Sequence, residues 1–132
     1  MAGAVAPVNA EEPPPTPRLD LTATWDLIIL DMEQREPEPE LKAAVLADMR
    51  ERDAIGTAKY NVRHTAFNGR DHLVDAYQEA LDLAVYLRAE MEERGITTKS
   101  PCPRWEDAEV KHCYSEALST IIRLRRIMRH RG

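Results

Sequence analysis

The stretch that most constrains the fold runs from Asn68 to Leu87 and reads NGRDHLVDAYQEALDLAVYL. Apolar residues fill most of its positions at helical spacing and no breaker interrupts it, which predicts one long helix. Asp71 is a suitable N-cap, and Arg94 followed by Gly95 is a suitable end. The helix is apolar around roughly 260° of its circumference, so it needs several packing partners.

Three further segments have helical periodicity, and none has the alternation typical of a strand. The predicted helices run from Asp20 or Thr22 to the EPEPE segment, from about Glu38–Glu40 to Gly56, and from about Trp105 to Arg129. Residues 56–70 and 95–104 are predicted loops. We therefore expect an all-α fold, a four-helix bundle.

The N-terminal segment differs in composition from the rest. Residues 1–18 contain five of the nine prolines and almost no large apolar side chains. Such a segment buries too little surface to offset the entropy lost on ordering, so we expect a disordered arm. Residues 19–132 have the length of a single domain.

Composition also bears on location and partners. With 18 basic and 23 acidic residues, the net charge is -5, so no nucleic-acid partner is expected. No apolar run is long enough to span a bilayer, so no membrane partner is expected. Cys102 and Cys113 lack the spacing of a zinc site and are predicted to be free thiols in a reducing cytoplasm. The broad apolar surface of the third helix predicts a homo-oligomer, dimer or tetramer.

An acidic stripe runs along the third helix. Asp75, Gln78, Glu79 and Asp82 fall within an arc of about 100° that contains no Lys or Arg. One interpretation is a solvated polar face. The other is a metal site, because like charges at this spacing repel and a cation would relieve the repulsion. Carboxylate ligands select a hard cation such as Mg²⁺ or Mn²⁺.

A second acidic pair lies on the preceding helix. Asp48 and Glu51 are three residues apart, and Asp48 is predicted to face the core. The predicted core-facing stripe consists of Leu41, Ala44, Val45, Asp48, Arg52 and Ile55. If the two helices pack antiparallel, Asp48, Glu51, Glu79 and Asp82 would surround one hollow. Because Mg²⁺ takes its remaining ligands from water and phosphate, such a site predicts a phosphorylated substrate.

The segment between the two helices is cationic, which suits phosphate binding. For several of its residues a structural interpretation stays open beside the functional one: exposed cations, a turn, or aromatic residues of a helical core. The candidate substrate contacts are Lys59, Arg63, Asn68, Arg70, Tyr86 and Trp25.

Two motifs in residues 46–94 resemble a known family. RDAIGTAKYNV followed by NGRDHLVDAYQEALDLAVYLR, with an E-x-x-D in QEALD, is similar to the MazG-like all-α nucleoside triphosphate pyrophosphohydrolases. Their pattern is E-x-x-E, a variable spacer and E-x-x-D. The similarity extends to a phage-encoded branch that includes a dATP/dGTP diphosphohydrolase, which would place the protein in the cytoplasm of a host cell.

The resemblance implies hydrolysis of a (deoxy)nucleoside triphosphate, dGTP or dATP, to the monophosphate and pyrophosphate with two or more Mg²⁺ or Mn²⁺ ions. Glu79 and Asp82 match the second motif as metal ligands. Asp48 and Glu51 match the first, with Asp where the family has Glu. Glu51 and Glu79 are thus the predicted catalytic carboxylates. Alternatives for the first pair are Asp53, or Glu33 with Glu36.

Two other functions stay open. In the first, the chain is a non-enzymatic helical interaction protein of a phage, and the acidic stripe is a wet groove. In the second, the C-terminal RLRRIMRHR binds nucleic acid. The same arginines also suit the negative end of a helix dipole, and the net charge disfavours a nucleic-acid binder.

Overall fold

The computed structural model describes residues 9 and 11–131. Its helices are α1 (Thr24–Glu33), α2 (Pro39–Tyr60), α3 (His72–Glu93) and α4 (Trp105–His130). The described part of the chain contains these four helices and no strand, which confirms the all-α prediction. The chain divides into two compact units. One comprises Glu12–Arg70 and holds α1 and α2, and the other holds α3 and α4.

The α3–α4 unit has a core of small and flexible side chains. The two helices pack against each other, and Met91 and Met128 are completely buried between them. The other buried apolar residues of this unit are Val74, Ala80, Ala84, Ile96 and Ala117. Alanines let the two helix backbones approach closely, and methionine fills irregular gaps. The buried apolar residues of α3 therefore pack against α4.

Both ends of α3 follow the sequence signals. At its start, the Asp71 carboxylate accepts a hydrogen bond from the Val74 amide at 3.2 Å. At its end, Gly95 adopts φ 72°. The Ile96 amide then bonds to the Met91 carbonyl at 2.9 Å. This is a Schellman cap, in which Ile96 and Met91 also bury together. The predicted boundaries of α3 are confirmed.

In the α1–α2 unit, one side of α1 carries the apolar residues that are withdrawn from solvent. Trp25, Ile28, Ile29 and Met32 are half-buried, and α1 packs against α2. The start of α1 is tied to the segment after α2 by the Thr24 amide, which bonds to the His64 carbonyl at 2.8 Å.

Helix α2 continues past the predicted end at Gly56. Gly56 lies inside the helix, which ends at Tyr60, with Asn61 in the left-handed conformation at φ 57°. A glycine within a helix costs only about 1 kcal/mol, and the good helix formers Ala58 and Lys59 follow it. Asn tolerates the left-handed cap position, so Asn61 was the actual stop signal.

The predicted core-facing stripe of α2 was wrong except at Val45, which is half-buried. Leu41 and Ile55 are 54% and 50% exposed, and Asp48 is exposed with them. The half-buried side of α2 also includes Leu46, Met49 and Asp53, which the predicted stripe did not contain. The sequence of α2 contains two overlapping apolar arcs, and packing against α1 selects the second.

Part of the proline-rich arm makes defined contacts inside the α1–α2 unit. The Thr16 amide bonds to the Asn68 carbonyl at 2.6 Å, and Arg70 bonds to the Pro13 carbonyl at 3.0 Å. The sequence did not indicate these contacts. Residues 1–8 and 10, which make up half of the predicted disordered arm, lie outside the described residues.

The length and apolar character of the helices bear on whether one of them could cross a bilayer. Among residues 9 and 11–131, no helix combines the length and the apolar run needed to cross a membrane.

Asp71 provides a test of the helix cap. Its carboxylate also pairs with Arg131, so Asp71→Ala should destabilise the protein by about 1 kcal/mol from the lost cap, plus a smaller loss from the ion pair. Asp71→Ser keeps a capping oxygen and should recover most of the loss. Arg131→Ala removes only a surface pair, worth about 0–1 kcal/mol. Urea unfolding followed by circular dichroism measures all three variants, and equal losses in Asp71→Ala and Asp71→Ser would contradict the capping role.

Candidate functional site

The acidic stripe of α3 lies on the side of the helix away from α4. Ala80 and Ala84 are buried against α4, whereas Glu79 and Asp82 are exposed. Asp75, one turn before Glu79, is half-buried. Within the described chain, the carboxylates of Glu79 and Asp82 make no hydrogen bond or ion pair with a protein group. The two carboxylates are therefore open to a ligand from solvent.

The acidic pair of α2 is similarly exposed. Asp48 and Glu51 have no side-chain partner among residues 9 and 11–131. They belong to the α1–α2 unit, whereas Glu79 and Asp82 belong to the α3–α4 unit. The meeting of the two pairs in one pocket therefore stays a prediction.

Each pair offers two carboxylates spaced to converge on one ion. Among the described residues of each unit, no group of three or more His, Cys, Asp or Glu side chains could hold a metal ion. Mg²⁺ in phosphoryl-transfer sites is commonly held by one or two carboxylates, with water and substrate phosphates as the other ligands. The donor set of either pair fits this kind of binding.

Arg63, a predicted phosphate contact, bonds to two carboxylates of its own unit. Its Nη2 lies 2.7 Å from Asp26 Oδ1 and 2.6 Å from Asp53 Oδ2. Nη1 donates to Asp26 and Nε donates to Asp53, so all three nitrogens are engaged. The hydrogen bonds from Arg63 lower the pKa of Asp26, and the two carboxylates raise the pKa of Arg63. We name these three residues the Arg63 triad.

The contacts of the Arg63 triad give Arg63 a structural role in place of the predicted phosphate contact. Arg63 lies in the segment after α2, and its guanidinium connects that segment to Asp26 of α1 and Asp53 of α2. Because Asp53 is only 16% exposed and is bonded to Arg63, it does not offer the open carboxylate that an alternative metal ligand needs. Asp26 and Arg63 are 37 residues apart in sequence, and no spacing rule connects residues at that separation. Sequence reasoning therefore missed the triad.

The turn before α3 is held by Asn68 and Arg70. Asn68 is 1% exposed, and its Oδ1 accepts the Arg70 amide at 3.1 Å, as the turn interpretation predicts. Arg70 pairs with Glu12 at 3.4 Å. Phe67 and Gly69 adopt positive φ of 54° and 88°. Arg70, like Arg63, is thus bonded to protein groups.

The remaining candidates differ in accessibility. Lys59 is exposed in the last turn of α2, with its Nζ 5.1 Å from the centre of the Tyr60 ring. Tyr86 is 69% exposed and follows Asp82 by one turn, on the same side of α3. Trp25 is half-buried on α1, as a core aromatic would be. Tyr86 is therefore the better placed of the two aromatic residues for contact with a ligand.

The α1–α2 unit also contains a cavity of about 560 Å³. Its polar lining includes Asp26, Arg63 and Thr65. The Thr65 hydroxyl and the Asn68 amide nitrogen are buried and have no hydrogen-bond partner among the described residues. The charged residues of the lining are Arg18, Asp26 and Arg63. Arg18 pairs with Asp20, and Arg63 pairs with Asp26, so each of these charges has a counter-charge.

The prediction that the two cysteines are free thiols is confirmed. Cys102 and Cys113 are free thiols. His112 is exposed, and its Nε2 lies 2.9 Å from Glu116 on the next turn of α4. His64 and His72 are also exposed.

The chain was compared with known proteins in three ways. No protein-family model, no curated protein and no solved structure matches it. The acidic faces of α2 and α3 therefore have to be interpreted from their own chemistry.

The Arg63 triad generates a stability prediction. Arg63→Gln leaves the half-buried Asp53 without its cation and should destabilise the α1–α2 unit by about 1–3 kcal/mol. Arg52→Gln, an exposed change on α2 next to Asp53, should have an effect within about 0.5 kcal/mol. Trp25 fluorescence in a Trp105→Phe background would follow the unfolding of this unit. Equal stability of the two variants would contradict the prediction.

The triad also predicts a pH dependence. Because the pKa of Asp26 is lowered in the folded state, its stabilising contribution is present above its unfolded pKa of about 3.9. That contribution is lost as the pH falls further, through the folded pKa. The same Trp25 signal should therefore show acid destabilisation below about pH 4, and Asp26→Asn should reduce its steepness.

Proposed function

We propose that the chain is a metal-dependent pyrophosphohydrolase of (deoxy)nucleoside triphosphates, which releases the monophosphate and pyrophosphate. The observation that carries this proposal is the exposed pair Glu79 and Asp82. Two carboxylates on one face of α3, without a cation or a hydrogen-bond partner in the described chain, repel each other unless they bind a cation. The resemblance of residues 46–94 to MazG-like enzymes points to the same two positions.

The chemistry follows from the ligand set. Mg²⁺ or Mn²⁺ held by Glu79 and Asp82 would supply Lewis acidity to the phosphate oxygens and lower the pKa of a bound water. Glu79 would bind the metal and orient the water for in-line attack. No covalent nucleophile is required.

The proposal also gives a role to the second acidic pair, on α2. Asp48 and Glu51 would hold a further ion, with Glu51 as the second catalytic carboxylate. Both are exposed and without a side-chain partner in the described chain, as ligands awaiting a metal would be.

Substrate contacts are proposed for the accessible candidates. Tyr86 is available to stack on a nucleobase, and Lys59 is available to neutralise the phosphates. The purine nucleotides dGTP and dATP are the proposed substrates, because the motifs are similar to those of the phage-encoded branch. The proposed location is the cytoplasm, which would be that of a host cell if the chain is phage-encoded.

Glu79→Gln tests the activity. It removes one metal ligand's charge, so pyrophosphate release from dGTP with Mg²⁺ should fall at least about a hundredfold. Glu93→Gln is the matched control, since Glu93 is exposed on the same helix and lies roughly 21 Å further along its axis. Chromatography of the products should show dGMP and pyrophosphate. Release of diphosphate and phosphate, or equal activity of the two variants, would overturn the proposal.

The exposed apolar residues of α3 favour a homo-oligomer, dimer or tetramer. Leu83, Val85 and Tyr86 are 48%, 65% and 69% exposed, beside the acidic stripe. Several large apolar side chains in solvent on one helix are typical of an interface. The same exposed residues are the observation that favours the second candidate function, a helical interaction protein without catalysis.

Val85→Lys tests the interface. The charge would be buried at a self-association surface, so the variant should have a smaller mass than the wild type by light scattering after gel filtration. Leu19→Lys, at a residue that is 91% exposed, should leave the mass unchanged. A wild type that is monomeric at micromolar concentration would overturn the homo-oligomer.

A further inference from the structure

A groove in the α3–α4 unit carries a concentrated positive charge. Its volume is about 650 Å³, within the range of small-molecule sites. The residues that line it are Tyr77, Ile121, Ile122, Arg125, Arg126 and Arg129. The groove lies between α3, which supplies Tyr77, and the C-terminal half of α4. Among the described residues, the lining contains three guanidinium groups and no carboxylate.

The three arginines of the groove have no partner in the described part of the protein. Arg125, Arg126 and Arg129 form no ion pair or side-chain hydrogen bond with any residue that the structure describes. In contrast, Arg63, Arg70, Arg94 and Arg131 are all paired with carboxylates. Three neighbouring cations without a counter-charge repel one another, and an anion in the groove would remove that repulsion.

The helix dipole does not account for this cluster. Helix α4 ends at His130, and the favourable effect of cations on a helix dipole is confined to the last turn. Arg129 lies in that turn. Arg125 and Arg126 lie before it, so their position calls for another explanation.

The groove also has an apolar part. Tyr77 and Ile121 are half-buried, and Ile122 is 57% exposed. A simple phosphate would use only the guanidinium groups, which bind phosphate oxygens in pairs. A ligand that also has a flat or apolar group would cover the aromatic and isoleucine side chains.

We propose that this groove is a binding site for a nucleoside polyphosphate, with the phosphates on Arg125, Arg126 and Arg129 and the nucleoside against Tyr77. The site is distinct from the acidic stripe of the same chain. On a helical projection Tyr77 and Glu79 lie about 160° apart around α3, so one ligand does not reach both. The inference does not depend on the proposed hydrolysis.

Binding without divalent metal tests the groove alone. With EDTA present, titration calorimetry should detect dGTP binding to the full chain. The triple variant Arg125→Ala/Arg126→Ala/Arg129→Ala should bind at least about tenfold more weakly, because it loses the charge-assisted contacts to the phosphates. The single variant Arg126→Ala, which is less prone to misfold, should show an intermediate loss.

Arg123→Ala is the matched control. Arg123 is an exposed arginine of α4 without an ion pair in the described chain, and it lies roughly 130° around the helix from the centre of the groove lining. Its removal changes the net charge by the same amount as Arg126→Ala and should leave dGTP affinity within about twofold. Glu93→Gln should also bind dGTP normally in EDTA, since Glu93 is exposed and belongs to neither proposed site.

Two further ligands define the chemical class. Inorganic triphosphate should bind more weakly than dGTP, and equal affinity would overturn the assignment to a nucleoside. A single-stranded oligonucleotide that binds when dGTP does not would show a nucleic-acid surface instead and would overturn the proposal. Unchanged dGTP binding by the triple variant would overturn it as well.

Discussion

The packing of α3 against α4 decides which side chains of the α3–α4 unit are exposed to solvent and available to a ligand. Ala80, Ala84 and Met91 are buried between the two helices. Their burial fixes the rotation of α3, so Glu79, Asp82 and Tyr86 are left on the opposite side, in solvent. Since α4 offers its Ala117 and Met128 to the same core, its arginines are also directed outward. Both proposed ligand sites of this unit therefore depend on one apolar contact.

The α1–α2 unit depends more on charge. None of the residues of α1 or α2 is fully buried, and the apolar contact between these helices is correspondingly thin. The Arg63 triad supplies directional bonds in its place, because a guanidinium that contacts two carboxylates fixes the positions of three segments. Residues 12–18 add hydrogen bonds to the turn before α3. Arg63 and Arg70, which look like free cations in the sequence, thus stabilise the unit.

The arginines illustrate how far sequence reasoning extends to a site. The cationic segment before α3 suggested phosphate binding, and the arginine-rich end of α4 suggested a dipole effect. In the structure, Arg63 and Arg70 have carboxylate partners, whereas Arg125 and Arg126 have none in the described chain. Charge is visible in a sequence. The pairing of charges depends on contacts between residues that are far apart along the chain.

The sequence alone determined the all-α class, the two ends of α3 and the extent of α4, because these depend on periodicity and on capping residues that act over a few positions. It also located the acidic pairs, since a spacing of three residues places both carboxylates on one side of any helix. Tertiary structure decided the rest. It chose between the two apolar arcs of α2, carried the helix past Gly56 and paired Arg63 with Asp26 and Asp53. These outcomes depend on which surfaces meet, and a local pattern compatible with two packings does not choose between them.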